Sequence, residues 1–147
     1  MVGIRGGLYG KDSTTTWNID SVLEASEDSV GLFFKYASVF IFGDGNPTAE
    51  QLESAKQWVH KIGALIEKRL NSHGQKYIAG DKVTVADCKV SAAFFTGVYN
   101  EVMPMPAVDR EALKAVLAEY PKAQQYVETT MATLLKTYLE NRPARPF

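Results

Sequence analysis

The sequence predicts an all-α fold, a bundle of about five helices. Apolar residues recur at three- and four-residue intervals along each long segment, which is the period of an amphipathic helix. No window shows the alternation of apolar and polar residues that is typical of a half-buried strand. With 147 residues, of which 46% are hydrophobic and 22% charged, the chain has the size and composition of a single globular domain.

The first two predicted helices are long and adjacent. The first begins near Ser13 to Asn18 and ends at the breaker cluster of residues 43–47. Thr48 then caps the second helix, with Gln51 three residues later in the reciprocal capping position. The apolar positions of the second helix continue from Leu52 to Leu70. Because the loop between them is short, we expect the two helices to pack antiparallel.

Three further helices are predicted after residue 80. The third runs from Thr84 to about Tyr99, and a short fourth helix follows Asp109. Pro121 suits the first position of the last helix, which continues through Tyr138. These three segments complete the predicted bundle.

The start of the third helix is the most strongly specified local feature. Thr84 can act as its N-cap, and Asp87 can return a hydrogen bond to the backbone N–H of Thr84. A carboxylate in the first turn is also favoured by the helix dipole. Since capping occupies the lone pairs of the carboxylate, we expect Thr84 and Asp87 to form a structural helix cap without a catalytic role.

Residues 77–87, with the sequence YIAGDKVTVAD, resemble a signature of the C-terminal domain of glutathione transferases. Residues 7–12 and the Ile19-Asp20 pair are similar to the linker and first helix of that domain in the alpha, mu and sigma types. Residues 119–122 and 138–143 are similar to its last helices and tail. The resemblance covers nearly the whole chain from about Leu8 onward, so we predict a glutathione transferase C-terminal-like helical bundle.

The resemblance implies a division into a tether, residues 1–12, a helical domain, residues 13–141, and an extended basic tail, residues 142–147. The tether is a remnant of the interdomain linker. In the family, a thioredoxin-like α/β domain supplies the catalytic Tyr, Ser or Cys and a cis-proline that holds glutathione. The sequence has no βαβ pattern before the first helix. We therefore expect no catalytic residue in this chain, no required cofactor, and glutathione binding only with a thioredoxin-like domain.

One glutathione contact of the family falls within this chain. The resemblance places Asp28 where a family acid reaches the amino group of glutathione bound by the other subunit. A carboxylate on an exposed helix face can pair with an ammonium group. The alternative is that Glu24, Glu27 and Asp28 form a solvated acidic face.

Aromatic residues are concentrated in the second half of the first helix. The candidates for a hydrophobic pocket or an interface are Phe33, Phe34, Tyr36 and Phe40. Helical spacing explains most of them as core residues. However, both faces of the helix are apolar between Phe33 and Phe42, which is more than one neighbouring helix covers. The excess predicts a docking surface for the absent domain, a second copy or another protein.

Composition and residue spacing argue against several other classes of function. A net charge of −1 and a pI near 6.1 predict no nucleic-acid binding, which needs a basic face. His60 and His73 have no cysteine or acid at zinc-ligand spacing, so no metal is expected. The most apolar stretch, residues 30–42, is shorter than the ~20 residues of a membrane span. As the single cysteine, Cys88 is expected to fill core space in a reducing compartment.

Two functions remain open at the level of sequence. In the first, the chain is a non-catalytic helical domain that serves as a protein-interaction or structural subunit, with a partner protein or a second copy bound through the first two helices. In the second, it is the electrophile-binding and dimer-forming half of a glutathione transferase that conjugates glutathione to hydrophobic electrophiles. A cytoplasmic location is expected, and the basic residues Arg5 and Lys11 also permit a mitochondrial address.

Overall fold

A computed structural model describes residues 7–73 and 76–144, with His73 described in its backbone alone. Its long helices are α1 (Ser13–Phe42), α2 (Ala49–His73), α3 (Val85–Gly97) and α4 (Ala107–Ala118). They are followed by α5 (Pro121–Gln125), a π-helical segment (Tyr126–Met131), α6 (Ala132–Leu134) and α7 (Lys136–Asn141). The described residues contain no strand beyond an isolated β-bridge between Tyr77 and Gly80. The predicted all-α fold class is confirmed.

Helices α1 and α2 form the most extensive helix pair of the bundle. The guanidinium of Arg69, near the end of α2, donates to Asn18 Oδ1 at 2.8 Å and to Ser21 Oγ at 2.6 Å, near the start of α1. The same guanidinium lies 5.6 Å from the ring centroid of Trp17, which is 65% exposed. Since the end of one helix meets the start of the other, the predicted antiparallel arrangement is confirmed.

Local sequence fixes where these two helices begin. The carboxylate of Asp12 accepts from the backbone N–H and the hydroxyl of Thr15, both at 2.8 Å, and caps α1. At the start of α2, Thr48 N–H donates to Gln51 Oε1 at 2.8 Å and Gln51 N–H donates to Thr48 Oγ1 at 3.2 Å. The capping box predicted at Thr48 is therefore confirmed.

The core receives buried side chains from α1 to α5 and from the π-helical segment, and Trp58 of α2, which is 3% exposed, belongs to it. Its indole packs against Phe33 of α1 and Phe94 of α3, with ring centroids at 4.8 and 5.1 Å. Gly97 at the end of α3 faces the Phe33 ring so closely that a Cβ there would lie 2.7 Å from Phe33 Cζ. The small residue lets α3 approach α1.

Two predicted helix boundaries are wrong. Helix α4 does not follow Asp109 but begins at Ala107, because Pro106 occupies the N-cap and Asp109 lies within the first turn. The last helix does not run unbroken from Pro121 to Tyr138. It widens into the π-helical segment, where Val127, Thr129 and Thr130 bring β-branched side chains that crowd an α-helix, and it is interrupted again at Leu135.

The segments before and after the helices also contact the domain. The carbonyl of Leu8 accepts from the backbone N–H of Val85 at 2.9 Å, and Tyr9 packs against the core. Arg142 donates through both Nη atoms to the carbonyl of Phe95 at 3.1 Å. Residues 1–6 of the predicted tether and residues 145–147 of the predicted tail lie outside the described residues.

Candidate functional site

The carboxylate of Asp87 is fully buried at the start of α3 and accepts four hydrogen bonds. Its Oδ2 accepts from the backbone N–H and the hydroxyl of Thr84, at 2.8 and 2.7 Å. Its Oδ1 accepts from the backbone N–H of Ile78 at 3.0 Å and the hydroxyl of Tyr126 at 2.6 Å. We call these four residues the Asp87 cluster. It joins the loop before α3, α3 itself and the π-helical segment.

The Asp87 cluster is closed to substrate chemistry. Burial, and then the charge of Asp87, raise the pKa of Tyr126 far above its usual value, so this hydroxyl keeps its proton and remains a donor. With four donors around it and no exposed surface, the carboxylate has no lone pair free for a reactant. The geometry is that of a structural cap extended to a distant helix.

The four aromatic candidates of α1 do not line one pocket. Tyr36 is buried and donates its hydroxyl to Asp109 Oδ2 at 2.8 Å, and burial followed by this bond raises the pKa of Tyr36. Phe40 packs edge-on against Tyr36 with ring centroids at 5.2 Å, while Phe33 contacts Trp58. Phe34 points the other way and is 52% exposed.

Phe34 belongs to a line of exposed apolar side chains. Val30, Phe34 and Ile41 are 47%, 52% and 39% exposed, and their spacing of four and seven residues puts them on one side of the helix. Phe42 at the end of α1 is 79% exposed. We call these four residues the α1 apolar stripe. Beneath Val30 lies a cavity of about 140 Å³, which Phe33 and Trp58 also line.

Asp28 is exposed on α1 and lines an open groove of about 380 Å³ between α1 and α2. Lys61 and Lys68 of α2 line the same groove. The neighbouring Glu27 forms an ion pair with Lys89 of α3. Glu27 and Asp28 therefore differ in surroundings, since Glu27 is paired across two helices while Asp28 faces two lysines across a groove.

The other candidate groups show no activated chemistry. Burial, and then the charge of Asp87, raise the pKa of the half-buried Cys88 thiol, which is the opposite of what a nucleophile needs. The Nδ1 of His60 lies 3.1 Å from the hydroxyl of Tyr120, and the side chain of His73 lies outside the described residues. Within residues 7–73 and 76–144, no three His, Cys, Asp or Glu residues come together as a metal site would require.

None of the helices in the described part of the chain combines the length and the apolar character that crossing a bilayer would require.

Two hydrogen bonds between residues far apart in the sequence were not predicted. Tyr126 is 39 residues from Asp87 and Asp109 is 73 residues from Tyr36. Tyr126 lies at an apolar position of a helical period, and Asp109 lies near the start of a helix. Their sequence context therefore predicts a core residue and a helix cap, and it does not indicate a specific hydrogen-bond partner. Buried polar side chains need a partner, but the sequence does not say which one.

Comparison with known proteins agrees with this architecture. Residues 31–133 match the family model described as "Glutathione S-transferase, C-terminal domain". The chain is also similar to the protein named Glutathione S-transferase A from Cavia porcellus, with 24% identity over 133 residues. That match covers 86% of this chain but 57% of the relative, so the chain spans little more than half of the relative's length. The chain belongs to the glutathione S-transferase C-terminal domain family.

Proposed function

We propose that this chain is a non-catalytic helical domain that binds another polypeptide, or a second copy of itself, through the α1 apolar stripe. The observation that carries the proposal is the exposure of Val30, Phe34, Ile41 and Phe42 on the helix that also anchors the core. Scattered single apolar residues are normal on a protein surface, whereas apolar residues aligned along one helix mark an interaction site.

The energetics favour a protein partner for this surface. Burying the exposed part of a large apolar side chain contributes roughly 25 cal/mol per Å², so a stripe of four such residues is worth a few kcal/mol to whatever covers it. The cavity beneath it, about 140 Å³, is smaller than the ~300 Å³ at which pockets for drug-sized ligands begin. A flat helical surface without a deep pocket suits a second helix or sheet.

The state of the polar groups supports the proposal that the domain is non-catalytic. The Asp87 carboxylate is saturated with donors, and the pKa of Cys88 is raised. The buried hydroxyls of Tyr36 and Tyr126 are each held by a carboxylate and keep their protons. None of these groups is in the deprotonated, accessible state that nucleophilic or general-base catalysis needs.

The mass of the native particle tests this proposal. We expect the 16.2 kDa chain to elute from a gentle extract in a larger particle, and Phe34→Glu to release it. Val108→Glu is the control, because Val108 is an apolar residue that is 74% exposed on α4 and does not belong to the stripe. The mass of the purified protein distinguishes a second copy from another polypeptide, since a dimer of the purified chain indicates a second copy. A chain that is monomeric both purified and in the extract would overturn the proposal.

The coverage of the transferase relative favours a second candidate function. In it, the chain is the helical half of a glutathione transferase and works with a thioredoxin-like domain, and Asp28 contacts the ammonium group of glutathione bound by the partner subunit. Adding such a domain as a separate polypeptide would then generate conjugation of glutathione to a chromogenic electrophile. Asp28→Ala would weaken glutathione binding, and Glu24→Ala, one turn earlier, would not. No turnover above the uncatalysed rate would exclude this candidate.

The compartment is part of the same proposal. We expect the chain in the cytoplasm, with the mitochondrion as the alternative, and imaging of the tagged chain with and without residues 1–12 distinguishes the two. Loss of mitochondrial signal on removing these residues would favour the alternative.

A further inference from the structure

The outward side of α1 carries two rows of residues with a glycine between them. Successive residues of an α-helix turn by about 100°, so residues seven apart lie on nearly the same side. One row consists of three members of the α1 apolar stripe and the other of two exposed charged residues: Val30, Phe34 and Ile41 in the first, Asp28 and Lys35 in the second. Gly31 is exposed and lies between the rows. This side of the helix therefore has an apolar edge, a charged edge and no side chain at its centre.

Gly31 leaves room for another helix. A Cβ added there would meet nothing within 4 Å, whereas a Cβ added at Gly97 would lie 2.7 Å from Phe33 Cζ. The packing of the domain itself therefore requires a small residue at Gly97 but not at Gly31. A glycine in the middle of a helix is destabilising relative to alanine, and the distance between two packed helices depends on the side chains at their contact. Gly31 thus suits a close contact with a helix outside the domain.

The charged row is not paired within the described chain. Neither Asp28 nor Lys35 forms an ion pair within residues 7–73 and 76–144. The two residues are seven apart on α1, so about 10 Å of helix rise separates them, which is too far for an ion pair. A second α1 helix running in the opposite direction would bring an acid to Lys35 and a lysine to Asp28.

We propose that a second copy of the chain is the partner that covers the stripe, with the two α1 helices antiparallel about a two-fold axis near Gly31. This symmetry keeps each row on the same edge of the contact in both copies, so the apolar row packs against the apolar row. Lys35 is four residues after Gly31 and Asp28 is three residues before it. Each Lys35 therefore lies within about 1.5 Å of the second copy's Asp28 along the helix axis. A parallel pair would place the charged row of each copy against the apolar row of the other.

The charges select the orientation of the pair more than they set its affinity. By symmetry, the contact between Asp28 and Lys35 forms twice, at an exposed rim where ion pairs contribute little to binding. Burial of the apolar row supplies the attraction. The contact of one helix pair is smaller than the ~1,200 Å² at which stable interfaces begin, so we expect a dimer that dissociates on dilution.

This inference rests on the proposed function, because it uses the same stripe, and it narrows the partner to a second copy. The purified chain distinguishes the two. A purified monomer that still elutes from an extract in a larger particle, and is released from it by Phe34→Glu, overturns the dimer and leaves the proposed function in place. A chain that is monomeric in both preparations overturns both.

Sedimentation of the purified chain over a series of concentrations tests the dimer. We expect the mass to rise with concentration from 16.2 kDa toward twice that value. Gly31→Leu places a branched side chain at the closest approach of the helices and should weaken the dimer at least about tenfold. The domain should stay folded, because the position is open. Ala115→Leu, at an exposed position of α4, is the matched control and should leave the dimer unchanged. A Gly31→Leu chain that dimerises like the unaltered one would contradict the proposed contact.

Disulfide trapping tests the antiparallel orientation. Cys88, the single cysteine of the chain, is first replaced by Ser. Asp28→Cys and Lys35→Cys are then made in separate chains and mixed under mild oxidation, which leaves one contact between Asp28 and Lys35 intact in the mixed pair. We expect the disulfide between the two different variants to predominate, because a disulfide needs Cα atoms within about 7 Å and only these two positions lie at the same height. Predominance of disulfides between identical variants would exclude the antiparallel pair.

Discussion

The Asp87 cluster and the α1 apolar stripe are opposites in the same small domain. In the cluster, a charged group lies fully inside the protein and every contact it needs is supplied by the chain itself. In the stripe, large apolar groups lie outside and are not covered by any residue that the structure describes. A buried carboxylate with four donors has all the partners it needs, whereas the exposed line of apolar side chains is the surface that we propose another polypeptide covers.

The family resemblance accounts for the Asp87 cluster, but it leaves open what covers the α1 apolar stripe. The start of α3 is a folding device that works without a partner. The outer side of α1 should contribute little to the stability of the isolated domain, and under the proposed function its burial against a partner would stabilise the complex. The two regions should therefore respond to substitution in opposite ways, the first in stability and the second in association.

Breaking the cluster is expected to have the largest effect on stability. Asp87→Ala leaves the N–H groups of Ile78 and Thr84 and the hydroxyl of Tyr126 buried without an acceptor, and should lower the free energy of unfolding by about 3–5 kcal/mol. Chemical denaturation measures this change in the free energy of unfolding. Asp81→Ala, at an exposed position of the same loop, is the control. A change below about 1 kcal/mol for Asp87→Ala would mean that the cluster is not the anchor described here.

Gly97→Ala tests the inner side of α1, opposite to the stripe. The added methyl group would overlap the Phe33 ring, so we expect a loss of about 1–3 kcal/mol from overpacking. Gly31→Ala is the counterpart on the open side of α1, where nothing lies within 4 Å of the new Cβ. There the better helix propensity of alanine should stabilise the protein by about 0.5–1 kcal/mol. Thermal unfolding of both variants gives the comparison, and equal signs would contradict it.

Removing one donor from the cluster is expected to have a smaller effect. Tyr126→Phe leaves Asp87 with three donors and should cost about 1–2 kcal/mol. Tyr138→Phe, at a side chain that is 64% exposed, is the control and should cost almost nothing. Denaturant midpoints measure both variants. A neutral Tyr126→Phe would show that the three remaining donors satisfy the carboxylate.

The cluster also predicts a dependence of stability on alkaline pH. The pKa of Tyr126 is raised in the folded protein by burial and by Asp87, so its stabilising contribution is complete below the unfolded value near 10 and is lost as pH rises above it. The unfolded state then loses a proton that the folded state keeps, at a cost of about 1.4 kcal/mol per pH unit for each such tyrosine. Unfolding measured from pH 9 to 11 should show a shallower decline in Tyr126→Phe. Equal slopes would argue that Tyr126 ionises normally.

Changes to the stripe should affect stability least. Phe34→Ser removes an apolar side chain that is half exposed, and we expect a change within about 0.5 kcal/mol. The same variant should weaken assembly in the native-mass experiment, which no variant of equal stability outside the stripe should do. A loss of more than about 2 kcal/mol would mean that Phe34 belongs to the core and would remove the contrast between the two regions.

Local chemistry explains why much of the fold was predictable. The reciprocal bonds of Thr48 and Gln51, and the bond from Thr84 N–H to Asp87, connect residues three apart in the chain, so residue type and spacing are sufficient. The helical period likewise located the core positions of α2, where Ala55, Val59, Ile62, Ile66 and Leu70 are buried. The start of α4 was not predicted correctly, because Pro106 occupies its N-cap and Asp109 lies within its first turn.

The parts that escaped prediction depend on contacts across the sequence. The division of the last helix coincides with the β-branched residues Val127, Thr129 and Thr130, and such residues weaken an α-helix too little for their spacing to predict where it changes. The aromatic candidates of α1 were grouped by type, but three-dimensional packing separates Phe34 from the other three. The Nη2 of Arg110 donates to the carbonyl of Met103, but its Nε has no acceptor in the described chain, and sequence alone does not reveal such an incomplete pairing.

The two tryptophans differ in exposure, so their fluorescence reports on different parts of the domain. Trp17 is 65% exposed beside Arg69, whereas Trp58 is 3% exposed between two phenylalanines. A water-soluble quencher should therefore extinguish the emission of Trp17 and spare that of Trp58 while the fold is intact. Because Trp58 also lines the cavity beneath Val30, its emission registers events at the stripe from inside the protein, and binding can be followed without attaching a dye.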